Sequence, residues 1–349
     1  MPHLIAQGAE PHQRWRRALS NASPVVLGRA CGGWDVPWDV LISRRHAELT
    51  WKRSQLFVRR LPQTRNPIFC RGEAMEEFAV RVGEHFVIGG TTFTVVEDAI
   101  RLVDESPPGA TEQAFSPAYL HSLRFRDADE RIEILSRLPE VIQGAANDEE
   151  LFIRLIGLLL AGIPRASSAA LVAVAFSSSG PQVRVLQWDC RSGESSSFCP
   201  SGKLIGKAVD SKSSVVNVWP RADRIHSNEF THAENVDWAF CTPVLGTACD
   251  GWALYLDGQF PNDVIARGQI GPEELQDDLK FTELAASTLR SLREVRLLEQ
   301  RQFGLRQFFS PIVLDALSGQ DPDDVLVPRE TDVSVLFCDL RGFSRRSER

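Results

Sequence analysis

The sequence predicts a multidomain chain: an all-β sandwich first, then an α+β domain that closes on a long helix, and last the opening strand of a further, incomplete α+β domain. Three observations predict it. Between Val25 and Val96, short alternating runs of apolar and polar residues recur between turn residues, as in a sandwich. From Asp127 the apolar spacing lengthens to three and four, and helix, helix, strands and helix follow in turn. At the far end, Val333, Val335, Leu336 and Phe337 form an apolar run suited to a strand buried on both faces, which delivers Asp339 at its end.

Within the sandwich, His85-Phe86-Val87-Ile88 and Thr91-Thr92-Phe93-Thr94-Val95-Val96 are joined by Gly89-Gly90, residues free to adopt the positive φ of a two-residue hairpin turn. Three fragments carry groups suited to an anion: Gly28-Arg29, Ser43-Arg44-Arg45-His46 and Arg65-Asn66. A guanidinium beside a hydroxyl holds a phosphate through short charge-assisted bonds. Gly-Arg, then Ser-Arg-Arg-His-Ala-Glu-Leu, in this order resembles a forkhead-associated (FHA) domain, a reader of phosphothreonine peptides. The resemblance implies phosphate contacts from Arg29 and Ser43, a supporting contact from Arg44, and Asn66 on the backbone of the bound peptide. It gives Gly28 and His46 structural roles in the loop. Where the family has Asn-Gly, this chain has Asn66-Pro67, and proline fixes φ and removes a donor in the peptide-facing loop. The alternative is a sandwich that serves as a docking platform within its own protein.

Residues 104–118, rich in proline, glycine and small polar groups, mark a linker. After it Ile132, Leu135, Leu138 and Ile142 repeat at helical spacing. Asn147 followed by Asp148, Glu149 and Glu150 opens a second helix running to Ile163. Strands are expected at Ala169 to Phe176, Val183 to Trp188, Val215 to Val218, Phe240 to Leu245 and Trp252 to Asp257, with a short helix near Leu204 to Ser211 and a long one from Glu274. The runs Cys241-Thr242-Pro243-Val244-Leu245 and Gly251-Trp252-Ala253-Leu254-Tyr255-Leu256-Asp257 resemble the paired core strands of a GAF sensor domain. Asn228-Glu229-Phe230 lacks the lysine of the cyclic-nucleotide type, and Cys190 and Cys199 lack the neighbours of a bilin site, so the GAF ligand stays unnamed.

In the long helix Leu284, Ala285, Thr288, Leu289, Leu292, Val295 and Leu298 form one stripe, fit for a core helix or for a parallel coiled coil between two chains. The closing run Phe337-Cys338-Asp339-Leu340-Arg341-Gly342-Phe343-Ser344 resembles the opening of the catalytic domain of class III adenylate and guanylate cyclases. That resemblance implies Asp339 as one of two carboxylates for Mg²⁺ or Mn²⁺ in an intact cyclase. The second carboxylate and the base-selecting residues are absent, so this chain alone is expected to make no cyclic nucleotide, and ATP versus GTP is left open.

Composition bounds the rest. Asp and Glu number 46 against 39 Lys and Arg, a net charge of −7, which disfavours a general grip on nucleic acid. The most apolar stretch, Leu151 to Ile163, is too short to span a membrane and contains Arg154. The N-terminus lacks the pattern of a secretory signal, so a cytoplasmic protein is expected. Its 7 cysteines include no Cys-x-x-Cys pair and read as reduced thiols. His226, Glu229, His232 and Glu234 read as a solvated loop rather than a metal set. The expected layout is a tail at 1–22, the FHA domain at 23–103, a linker at 104–124, the GAF domain with its signalling helix at 125–300, a transducer segment at 301–331 and the truncated cyclase start at 332–349. Together these features predict the regulatory part of a homodimeric class III cyclase that docks a phosphothreonine protein or peptide and uses its GAF domain to sense a small molecule or to dimerise; the alternative is a non-enzymatic, phospho-dependent signalling adaptor.

Overall fold

The computed structural model describes residues 2–10, 13–20, 23–97, 100, 102, 111–126, 128–145, 147–177, 180–191, 198–219, 236–266 and 270–306, together with 332 and 334. The chain divides into two units, Met1–Val295 and Arg296–Arg349, and the first holds both folded domains.

The N-terminal domain is a sandwich of β1 (Pro2–Gln7), β2 (Arg14–Ala18), β3 (Val25–Gly28), β4 (Trp34–Asp35), β5 (Ala47–Lys52), β6 (Gln55–Arg60), β7 (Ile68–Cys70), β8 (Glu73–Met75), β9 (Glu77–Val80), β10 (His85–Ile88) and β11 (Thr91–Glu97). One sheet runs β2-β1-β11-β10-β7-β8 and the other β4-β3-β5-β6-β9. Alternate residues turn inward, so Leu27, Leu49, Leu56 and Val58 meet Leu4, Ile68, Phe86 and Phe93 in one core. Phe86 and Phe93 face each other across the expected hairpin and stack at 4.9 Å. In the turn Gly89 alone takes positive φ, +61°, the pattern of a type II′ rather than a type I′ turn.

The span expected as a tail, 1–22, contains two strands of the sandwich. Strand β1 pairs with β11 from Pro2↔Glu97 to Gln7↔Thr92, and β2 pairs with β1. Leu4, Ala6 and Trp15 fill the core, and Arg16 and Arg17 are buried with them.

The second domain is α+β, as expected. Its helices are α1 (Pro117–Ser122), α2 (Asp129–Ser136), α3 (Leu138–Gln143), α4 (Asp148–Gly162), α5 (Gly202–Ser211), α6 (Asn262–Ala266) and α7 (Gln276–Arg306). Its strands are β12 (Thr111–Phe115), β13 (Ala166–Ser177), β14 (Gly180–Cys190), β15 (Ser214–Val218), β16 (Trp238–Pro243) and β17 (Trp252–Gly258), joined as one antiparallel sheet in the order β12-β15-β16-β17-β13-β14. The sheet has two buried faces. Leu171, Val216, Phe240, Leu254 and Leu256 pack with α4 and α7 residues such as Leu155, Leu159, Phe281 and Leu289, whereas Val172, Val215, Cys241 and Tyr255 pack with Leu204, Ile205 and Ala208 of α5. Asn147 caps α4 by accepting the Glu150 amide at 2.9 Å.

Two expectations change. The stretch given to a linker contains β12, whose backbone pairs with β15 from Thr111↔Val218 to Phe115↔Ser214, and also α1. The helix expected from Asp127 is broken into α2 and α3 at Arg137, because Pro139 belongs in a first turn and not in a helix interior. Ile132, within α2, is exposed.

Strand β2 ties the two domains together. Arg14 grips Asp189 through two bonds of 2.8 Å, Arg16 lies over the Trp188 ring at 4.0 Å, and Gln187 donates to the Arg16 carbonyl. Ile153 of α4 joins the sandwich core.

Candidate functional site

At one end of the sandwich the loops leaving β3, entering β5 and entering β7 come together. Their arrangement depends on a few side chains. The Arg29 amide donates to the Ser43 carbonyl at 2.9 Å and the Ala30 amide to the Arg44 carbonyl at 3.2 Å, so Arg29 lies alongside Ser43 and Arg44. Only glycine permits this approach at position 28. A Cβ there would sit 2.7 Å from the carbonyl carbon of Arg44 and 2.9 Å from the Cα of Arg45.

His46 is fully buried under the Ser43–His46 turn, and its Nδ1 accepts the Ser43 amide at 3.1 Å. The ring is therefore the neutral tautomer protonated on Nε2. Burial lowers its pKa from the ordinary 6.5; the Asn66 backbone opposes the shift and Arg60 reinforces it. The turn so closed presents Arg44 and Arg45 to solvent.

Asn66 is fixed by donating from Nδ2 to the Leu41 carbonyl at 2.6 Å. Its amide therefore has one donor already committed inside the protein. Just before it, Arg60 clamps Thr64 through Oγ1 and the carbonyl, each at 2.7 Å, and pairs with Glu76. Asp39 braces the other side: it accepts from the Leu41 amide at 2.9 Å, the Gly90 amide at 2.8 Å and the Thr91 hydroxyl at 2.9 Å. The Gly89-Gly90 hairpin thus holds the loop that carries Ser43. Neither Asp39 nor Arg60 stands out in the sequence: Asp39 acts on Gly90, 51 positions away, and Arg60 on Thr64 with no recognisable motif.

Beyond Arg29, Asp35 shapes the turn by accepting from the amides of Cys31 at 2.5 Å and Gly32 at 3.1 Å. The Cys31 thiol also donates to Asp35 at 3.0 Å, and burial pushes its pKa up to about 12, so it is a structural donor and no nucleophile.

The structure therefore brings Arg29, Ser43, Arg44 and Asn66 to one loop cluster, with Gly28 and His46 beneath. Among the described residues the side chains of Arg29, Arg44, Arg45 and Arg65 have no hydrogen-bond or ion-pair partner. Elsewhere in the sandwich Arg59, Arg60 and Arg71 are paired with Glu48, Glu76 and Glu84. A set of uncompensated guanidinium groups on a braced frame can hold an anion.

Asp339 and the set His226, Glu229, His232 and Glu234 lie outside the described residues, as do Phe337 and the rest of the closing run. Among the described residues no group of three or more His, Cys, Asp or Glu could hold a metal ion, and no helix is long and apolar enough to cross a membrane.

No protein-family model matches the chain, and no curated protein matches it. Among solved structures, its N-terminal part is similar to the FHA domain of the CT664 protein from Chlamydia trachomatis, at 15% identity over 27% of this chain and 97% of that one, with a TM-score of 0.23. It is similar to the FHA-1 domain of Rv1747 from Mycobacterium tuberculosis at 18% identity over 28% and 98%, TM-score 0.23. It is also similar to the yeast Dun1 FHA domain in complex with a doubly phosphorylated peptide, at 20% identity over 27% and 72%, TM-score 0.23. At such scores these likenesses carry no argument, and the role of the loops rests on their own chemistry.

Proposed function

We propose that the N-terminal sandwich is a phosphothreonine-dependent docking module of FHA type, which recruits a phosphorylated protein segment to the chain. The observation that supports this most is the backbone bonding of Arg29 to Ser43 and of Ala30 to Arg44, over a glycine that admits no side chain. Arg29 supplies a two-pronged cation, Ser43 a hydroxyl and Arg44 a second cation, which suits a phosphate dianion. Asn66 contributes its remaining amide groups to the peptide backbone.

The second domain is read as a GAF-type sensor, on the order of its strands and helices, and its ligand is not assigned. Exposed Val295 and Leu298 continue the apolar stripe of α7 and fit pairing with a second copy. On the resemblance of the run from Phe337 to Ser344, the output served is cyclic nucleotide synthesis, with Asp339 as one carboxylate for Mg²⁺ or Mn²⁺. The adaptor reading shares the docking step and differs only in output.

The test is binding of matched peptides that carry threonine, phosphothreonine or phosphoserine. Saturable binding of the phosphothreonine form alone is expected. Equal binding of all three would defeat the proposal.

A further inference from the structure

A groove of about 480 Å³ opens among α1, α2 and α7, on the side of the sheet away from α5, a size common to small-molecule sites. Phe125, Ile132, Leu135 and Leu284 make its apolar walls, and Lys280 and His121 are its basic groups. Lys280 is the unusual member. It alone among the lysines is buried, at 9% exposed, and a buried lysine ordinarily has a carboxylate beside it. Here the ammonium donates to the Leu123 carbonyl and lies over the Phe125 ring at 4.9 Å, neither of them a counter-charge. The carboxylates within one turn of it on α7 are committed elsewhere. Asp277 accepts the Arg126 amide at 3.1 Å, Asp278 holds Arg131 and Arg165 at 2.6 and 3.0 Å, and Glu283 faces His121 at 3.8 Å. On α2, Glu133 is paired with Arg137. An ammonium has three donors and the Leu123 carbonyl uses one, so the groove is lined by a buried cation with donors to spare.

We propose that this groove binds a small amphipathic carboxylate, an unbranched acyl acid, with its head on Lys280 and its chain along Phe125, Ile132, Leu135 and Leu284. One cation balances one negative charge, which suits a carboxylate better than a phosphate dianion. A cationic or uncharged amphiphile leaves Lys280 without a counter-ion in an apolar place. The walls fit the chain as Lys280 fits the head: Ile132, 55% exposed, is covered once an apolar chain lies in the groove. The site belongs to the second domain and is independent of the phosphopeptide docking proposed for the sandwich.

The experiment is calorimetric titration of the full chain with decanoate, decanol and decylamine, each below the concentration at which it self-associates. Decanoate is expected to bind saturably, one per chain, and decanol about ten-fold or more weakly, with decylamine weaker still. Lys280→Met keeps the bulk of the stem and removes the charge. It should erase the preference for decanoate and leave decanol within about two-fold of wild type, whereas a purely structural role for Lys280 lowers both together. Ile132→Asp changes an exposed residue and sets a like charge against the carboxylate. It should weaken decanoate about five-fold or more and spare decylamine, which keeps the proposal testable if Lys280→Met does not fold by circular dichroism. Equal affinity of wild type for decanoate and decanol overturns the proposal, as does an absence of saturable decanoate binding. Light scattering identifies the competing occupant: a wild-type dimer that binds no decanoate, with Ile132→Asp a monomer, assigns the groove to a second copy and overturns the carboxylate site.

Discussion

Gly28 and His46 show how single residues set the site. Their substitution should cost stability as well as binding. Gly28→Ala forces a methyl group against the Arg44 backbone, which cannot swing aside as a side chain would; a loss of about 1–3 kcal/mol is expected in a denaturant titration, with weakened peptide binding. His46→Ala strips the Ser43 amide of its acceptor in a buried place and should cost about 1–3 kcal/mol or more. The ring also makes stability depend on pH. Because its folded pKa is depressed below the ordinary 6.5, the unfolded chain binds a proton that the folded ring resists. That contribution is present above pH 6.5 and lost as pH falls toward the folded value. The melting temperature of wild type relative to His46→Asn should therefore drop on acidification below about 6.5, whereas a flat difference would count against a buried neutral ring.

Strand β17 titrates in the opposite sense. Burial raises the Asp257 carboxyl from 3.8 to about 7, against the bonds from Ser168, so the folded chain holds a proton that the unfolded one releases. Its contribution is complete below about pH 4 and is lost as pH climbs through about 7; Asp257→Asn should remove that decline between pH 5 and 8 in thermal melts. Elements differ in how well the sequence discloses them. The β10–β11 hairpin, the capped α4 and the strands β13, β15 and β17 were legible because their patterns are local: a glycine pair, an Asn before three acids, runs of β-branched and apolar residues. Strands β1, β2 and β12 were not. The sequence Arg-Trp-Arg-Arg-Ala looks exposed until Trp188 and Asp189, some 170 positions away, supply a ring and a carboxylate for it. Thr-Glu-Gln-Ala, in β12, is exposed and held by backbone pairing that composition does not reveal. The loop motif of the candidate site was readable residue by residue, but its braces were not: Asp39 acts on Gly90 and Thr91, 51 and 52 positions on, and the Arg60 clamp on Thr64 follows no sequence pattern.

At the scale of the molecule, the sandwich and the second domain belong to one compact unit, held through β2. Arg14 and Asp189 are both nearly buried, with side chains 10% and 6% exposed, so removing Arg14 leaves a buried carboxylate that keeps the Cys190 amide but loses its ion-pair partner. Arg14→Ala should destabilise the chain by about 3 kcal/mol, and adding Asp189→Ala should recover part of that loss, a coupling that a double-mutant cycle in urea measures. Docking at the loops would then place a phosphorylated partner at a fixed position relative to the second domain. That role depends on the loops binding phosphate at all. The direct test is calorimetric titration of the full chain, wild type and Arg29→Ala, with a phosphothreonine peptide. Saturable binding to wild type, weakened about ten-fold or more in the variant, is the result predicted from the loss of a charge-assisted contact; equal affinity of the two proteins would contradict it.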